Sequence, residues 1–207
     1  MKKLLKEMRG HFDSQVELRE KVSEASRGTI RSSSRAISAI HRGDRRESQK
    51  FLKDAMEKLA SLIRLAKNDP EILTSGMVFS AQQEYAEAEL VKALATGGKL
   101  LTPDEIGIPY KPYLTALADA AGELRRMVLD LMRAGDLRKA EKTLGSMEEI
   151  FEFMMEFDYT DSVLPGMRRR QDTVRQILER TRGDLTLALR QERLERALRE
   201  KHEVRHG

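Results

Sequence analysis

Glu84 and Glu87, in the stretch FSAQQEYAEAELVKAL at residues 79–94, are the side chains whose placement most needs a chemical reason. At 100° per residue, Met77, Phe79, Leu90, Val91 and Leu94 form one broad apolar stripe. Both glutamates fall inside it, while Gln82 and Glu89 point to the opposite side. A carboxylate on a core-facing side is costly to bury unless it is paired, protonated or bound to a cation. One reading pairs both acids with Arg or Lys of a neighbouring helix. The other makes them a metal site or an acid/base pair.

A second carboxylate pair, Asp119 and Glu123, stands in ALADAAGELRRM, and its i, i+4 spacing puts both on one helix face. The apolar stripe of that helix, Leu114, Leu117, Leu124, Val128 and Leu131, lies on the other side. Periodicity therefore makes this a solvated face. The small residues Ala116, Ala118, Ala120 and Gly122 nevertheless allow a helix or a ligand to come close. If the two helices faced each other, the four carboxylates could gather one or two hard divalent cations. Oxygen-only ligands favour Mg²⁺ or Mn²⁺ over zinc, and such an ion activates water and stabilises phosphoryl charge. The histidines, His11, His41, His202 and His206, lie away from both pairs, which argues against the Glu-x-x-His pattern of di-iron bundles.

A different signal runs from Ala25 to Gly43, ASRGTIRSSSRAISAIHRG, which holds arginines and no acid. Arg27, Arg31, Arg35 and Arg42 fall within an arc of about 80°, with Ser34 and Ser38 beside them. Such a stripe suits a phosphate backbone. It equally suits a solvated or inter-subunit face that finds its acids elsewhere. Arg168, Arg169 and Arg170 sit near a helix start, where cations oppose the macrodipole, so a partner such as Asp158, Asp161 or a neighbouring subunit is expected.

The elements that must position these residues read as helices throughout. A first helix covers about residues 3–41 and ends at HRGD, with Gly43 as C-cap residue and Asp44 as the next N-cap. A second runs from Asp44 to about Ala66. A third starts at KNDPE, with Asp69 as N-cap and Pro70 at the first position, and continues to Gly97-Gly98. Thr102, Pro103 and Glu105 read as a capping box opening one short turn. Further helices span about 111–134 and 136–157. The last, from about Gly166, runs into a charged tail. One all-helical domain over residues 1–200, built as a six- to seven-helix bundle, and a tail at 201–207 are predicted.

Composition agrees. The 207 residues are 40% hydrophobic, 35% charged and 5% aromatic, a helix-rich profile long enough for one sizeable core. The absence of cysteine excludes disulfides and thiolate metal sites. No stretch approaches the roughly 20 apolar residues of a membrane span. Lys6, Glu7 and Arg9 interrupt any signal-peptide core, so a cytoplasmic location is expected. The net charge of +4 suits an anionic partner without requiring one.

Several segments together resemble the translin/TRAX family, and specifically its archaeal TRAX-like branch. LREKVSEASRGTIRSSSRAISAIHR resembles the family's first helix, QQEYAEAEL a TRAX segment, YLTALADAAGELRRM the Tyr-Leu…Ala-Asp…Gly-Glu-Leu stretch, and LPGMRRRQDTVRQILERTRGDLTLALR the last helix. The resemblance covers about residues 17–190. It implies a seven-helix all-α fold assembling into a hollow homo-oligomer, an octamer, that holds nucleic acid inside. It also implies a Mg²⁺-dependent endoribonuclease acting on single-stranded RNA or RNA ends. The family's acidic residues carry over onto Glu84, Glu87 and Asp119, with Glu123 a fourth, as catalytic metal ligands facing a wet lumen. Arg27, Arg31, Arg35 and Arg42 are the candidate nucleic-acid contacts, resting on their stripe alone. The runner-up is a translin-like protein that binds single-stranded RNA or DNA without catalysis. A third reading is a helical scaffold whose inward charges set subunit register.

Overall fold

The structure, a computed structural model, describes residues 1–206, and the side chains of residues 1–202. Those residues form six long helices and two of a single turn, with no strand among them. In chain order they are α1 (Lys2–His41), α2 (Arg45–Ala66), α3 (Pro70–Leu73), α4 (Gly76–Ala95), α5 (Pro103–Ile106), α6 (Tyr110–Arg133), α7 (Leu137–Met155) and α8 (Met167–His206). No helix among the described residues is long and apolar enough to cross a membrane. The chain divides into two compact units, Met1–Lys92 with Leu101–Ala116, and Ala93–Leu100 with Leu117–Gly207.

The caps fall where side-chain chemistry asks for them. The Asp44 carboxylate accepts from the Glu47 amide at 2.9 Å and starts α2. Asp69 accepts from Ile72 at 3.1 Å and starts α3 behind Pro70. Thr102 and Glu105 cap each other's amides around α5. Gly43 closes α1 with φ 74°, in the left-handed region that other residues enter only under strain.

One expectation is corrected. The helix expected to run unbroken from Pro70 to Gly97 is cut at Thr74–Ser75, so that α3 is one turn and α4 starts afresh at Gly76. The Thr74 hydroxyl turns back onto the Pro70 carbonyl at 2.8 Å, and its amide donates to the same carbonyl, closing the turn. At the other end, α8 stays helical to His206, through most of the residues read as a charged tail. Gly207, the end of that tail, lies outside the described residues.

In the first unit α1 and α2 form an antiparallel hairpin with a readable register. Gly28 faces Lys58, Ser32 faces Asp54, and Arg35 faces Phe51. Ser32 is buried, and its hydroxyl is held by the Asp54 carboxylate at 2.5 Å and by Lys58 Nζ at 3.0 Å. Gly28 leaves room for the Lys58 stem, because a Cβ there would stand 3.2 Å from Lys58 Cδ. The Lys58 ammonium, and then the Ser32 hydroxyl, hold the Asp54 carboxyl below its ordinary range. Gln15 donates to Asp69 at 3.1 Å and Arg19 pairs with Glu71 at 2.6 Å, tying α1 to α3. Ser26 donates to the Met77 carbonyl at 2.8 Å, tying α1 to the start of α4.

The second unit is fastened through α8. Arg125 of α6 donates to the buried Thr181 hydroxyl at 2.7 Å and to Asp184 at 3.1 Å. The Gln171 side-chain amide donates to the Met154 and Phe157 carbonyls at 2.8 and 3.1 Å, satisfying the frayed end of α7. Arg182 meets Glu148 at 2.6 Å. Met147, Ile150, Met154, Val174 and Leu185 form the apolar core beneath these contacts.

Candidate nucleic-acid and metal site

α4 is buried on more faces than its apolar stripe announced. Val78, Ala81, Tyr85, Ala86, Ala88, Leu90, Val91 and Leu94 are all buried, while Met77 and Phe79 of the expected stripe are only half-buried. The three alanines are what periodicity of large side chains overlooks. Within this helix Glu87 is 8% exposed and Glu84 is half-buried. A charged Glu87 in so enclosed a place is expensive without a compensating charge or hydrogen bonds. Their i, i+3 spacing puts the two carboxylates on one side of α4.

Between the two glutamates, Tyr85 adds a group that sequence reading passed over. Its hydroxyl donates to Glu89 Oε1 at 3.3 Å, and Lys92 Nζ reaches Glu89 Oε2 at 3.2 Å. Burial, and then the Glu89 charge, raise the Tyr85 hydroxyl well above its usual range, so it stays protonated as a donor. The i, i+4 spacing of Tyr85 and Glu89 was the available signal.

Asp119 and Glu123 on α6 are both half-buried rather than fully solvated. Glu123 Oε2 also stands 3.9 Å from Arg126 Nη1. The α4 pair belongs to the first unit and the α6 pair to the second, so each pair is set by its own helix. Among the described residues no group of three or more His, Asp or Glu side chains forms a ready-made metal cage. Two carboxylates on one helix face nonetheless suit a hard cation that keeps much of its water, which is how Mg²⁺ is commonly held.

The arginine stripe is real and is exposed, but its members are individually engaged. Arg27 donates to Ser23 at 2.9 Å, the Arg35 guanidinium lies 5.6 Å from the Phe51 ring centroid, and Arg42 pairs with Glu47. Arg31, Ser34 and Ser38 are exposed on the same helix. Glu47 lies just beyond the acid-free stretch, which is why that stretch read as uncompensated. Arg168 finds Asp158 at 3.1 Å, the structural partner expected for it, and Asp161 accepts from the Gly166 amide at 3.2 Å.

A translin-family model matches residues 17–182. The chain belongs to the translin family. A relative, an uncharacterised protein of Methanocaldococcus jannaschii, is 36% identical over 170 residues, covering 81% of this chain and 75% of its own. Among solved structures, AfC3PO is 32% identical with a TM-score of 0.81, covering 89% of this chain and 96% of that one. AfC3PO in complex with duplex RNA is 31% identical at a TM-score of 0.79, with coverages of 89% and 95%. Apo-NeC3PO shares the fold, with a TM-score of 0.81 at 19% identity. The translin fold is therefore that of this chain.

Proposed function

We propose that this translin-family protein binds RNA and cleaves it as a metal-dependent endoribonuclease of the TRAX type, working inside a homo-oligomeric shell, an octamer by family resemblance. The observation that carries the reading is Glu87, a carboxylate only 8% exposed on a helix whose next turn back holds Glu84. Its enclosure beside a second carboxylate supports a specific role for the pair rather than a solvated surface charge. The RNA-bound state of AfC3PO, a relative over nearly its whole length, supports RNA as the ligand.

In this reading Glu84 and Glu87 would hold Mg²⁺, with Mn²⁺ as a substitute, and family resemblance gives Asp119 a metal-binding role and Glu123 a water-orienting role on α6. When bound, the cation supplies positive charge to a phosphoryl oxygen and lowers the pKa of water. The chain's own part is to hold the acids in place. Tyr85 and Lys92 engage both oxygens of Glu89, which points to the other side of α4 from Glu84 and Glu87. Arg31, with Arg27 and Arg35, positions the RNA backbone.

A second reading, binding without catalysis, is favoured by the lack of a three-acid cluster among the described residues. End-labelled RNA, single-stranded and duplex, incubated with Mg²⁺ or EDTA separates the two. Metal-dependent cutting that disappears in Glu84→Ala/Glu87→Ala supports the nuclease. Binding without cutting in wild type assigns the protein to the binding reading.

A further inference from the structure

The first turns of α1 hold an apolar ridge that the chain itself leaves bare. Residues 1–14 are all exposed, and Leu4, Leu5, Met8, Phe12 and Val16 are each exposed by half or more. The match to the translin family begins at residue 17, so the ridge precedes the part of the chain that the family defines. A helical segment this short and this unpacked is marginal in water by itself, and a continuous row of large apolar side chains on it calls for a cover.

The order of the residues indicates what the cover is. Leu4, Met8, Phe12 and Val16 are evenly spaced and symmetric about position 10. Laid antiparallel on an identical helix, Leu4 meets Val16 of the second copy and Met8 meets Phe12 of the second copy. Along one flank the charges run from basic to acidic, the sense that an antiparallel pair complements. At 100° per residue Lys2, Lys6, Asp13 and Glu20 fall within about 40° of each other, on one flank of the ridge. In an antiparallel pair one flank faces the same flank reversed. With Leu4 against Val16, Lys6, with Arg9 beside it, then comes within one residue of Asp13 along the axis, and Lys2 within two residues of Glu20, distances of about 1.5 and 3 Å that a lysine side chain spans. A parallel pair would instead set this flank against the other one.

We propose that the first four turns of α1 are a self-docking surface, on which a second copy of this chain lies antiparallel with Leu4 against Val16 and Met8 against Phe12. Exposed apolar residues on α8, Leu187, Leu194 and Leu198, offer a rival partner for the ridge, as does an unrelated ligand. Neither explains the run from basic to acidic charge along the flank of the ridge.

The chain has no cysteine, which makes the test direct. Leu4 and Val16 are roughly 18 Å apart along one helix, too far for a disulfide within a chain. In the full-length protein, Leu4→Cys/Val16→Cys should oxidise to covalent dimers, whereas Leu4→Cys alone and Val16→Cys alone should not. Adding Lys2→Glu/Lys6→Glu should slow dimer formation about tenfold, and Asp13→Lys/Glu20→Lys on top should restore it. Cross-linking by a single variant means a parallel pair and overturns the proposal. So does a double variant that stays monomeric on a denaturing gel, or a charge exchange that fails to restore. Since these residues are exposed, the variants leave the core intact, and RNA binding and cleavage are read separately.

Discussion

α1 and the greater part of α4 both belong to the first unit, yet they hold their charges in opposite ways. On α4 the acids sit among buried alanines and branched side chains, with Glu87 almost fully enclosed. On α1 the bases stand on an exposed face, and three of the four are engaged by a hydroxyl, an aromatic ring or an acid from the next helix. A charge kept inside against its desolvation cost points to a specific counter-charge or chemistry. A charge at the surface with local company is compatible with ligand binding but does not require it. The proposed division, chemistry on α4 and positioning on α1, rests on that contrast.

The change expected to break that division most sharply is Glu87→Gln, which keeps the shape and removes the charge. Cleavage of labelled RNA should fall at least about a hundredfold, while a gel shift registers nearly unchanged binding. Equal losses in both assays would make Glu87 structural and erase the contrast with α1.

On the α1 side, Arg27→Ala/Arg31→Ala/Arg35→Ala should weaken RNA binding about tenfold or more. Arg31→Ala alone should lower the log–log salt slope by about 1. Arg42→Ala should do less, because Glu47 already holds that guanidinium. An Arg42 effect as large as that of Arg31 would show that the pair opens for RNA.

In the second unit, Arg125→Ala removes donors from the Thr181 hydroxyl and Asp184 and should cost about 2 kcal/mol in a urea titration. Cleavage per folded molecule should stay the same, which separates a fastening arginine from a binding one.

The smallest effect concerns acid. Asp54 has its folded-state pKa lowered by Lys58 and Ser32, so its contribution is complete above the unfolded carboxylate value of about 4. That contribution is lost as pH falls below that value and through the folded one. Between pH 5 and 3, wild type should therefore lose more stability than Asp54→Asn, followed by urea midpoints. Parallel curves would mean that the α1–α2 clasp owes nothing to charge.

What the sequence made legible was local. Asp44, Asp69 and the Thr102–Glu105 box cap helices through contacts spanning three residues, so their types and spacing sufficed. The break at Thr74–Ser75 escaped because it has no proline, only a hydroxyl folding back on a carbonyl. The extent of burial around α4 escaped because alanine carries little weight in a periodicity. For the candidate site, the acids could be read by kind and helical angle. Enclosure of Glu87 and the Tyr85–Glu89–Lys92 chain depend on packing and could not. Arg42 looked solitary because its acid lies five residues on, past the turn.

The hairpin of α1 and α2 has one more consequence, for how this chain can vary. Its register is set by a left-handed Gly43 at the bend and checked by Ser32 against Asp54, eleven residues up one arm and eleven up the other. Inserting a single residue in the second arm between Asp44 and Asp54 would rotate everything beyond it by about 100° and advance it by about 1.5 Å. Asp54 and Lys58 would then swing away from Ser32, and Phe51 from Arg35. Length changes are thus excluded from this bend, whereas the exposed segment between α7 and α8 is tied near its ends, by Asp158 to Arg168 and Asp161 to Gly166, and is where insertions should accumulate.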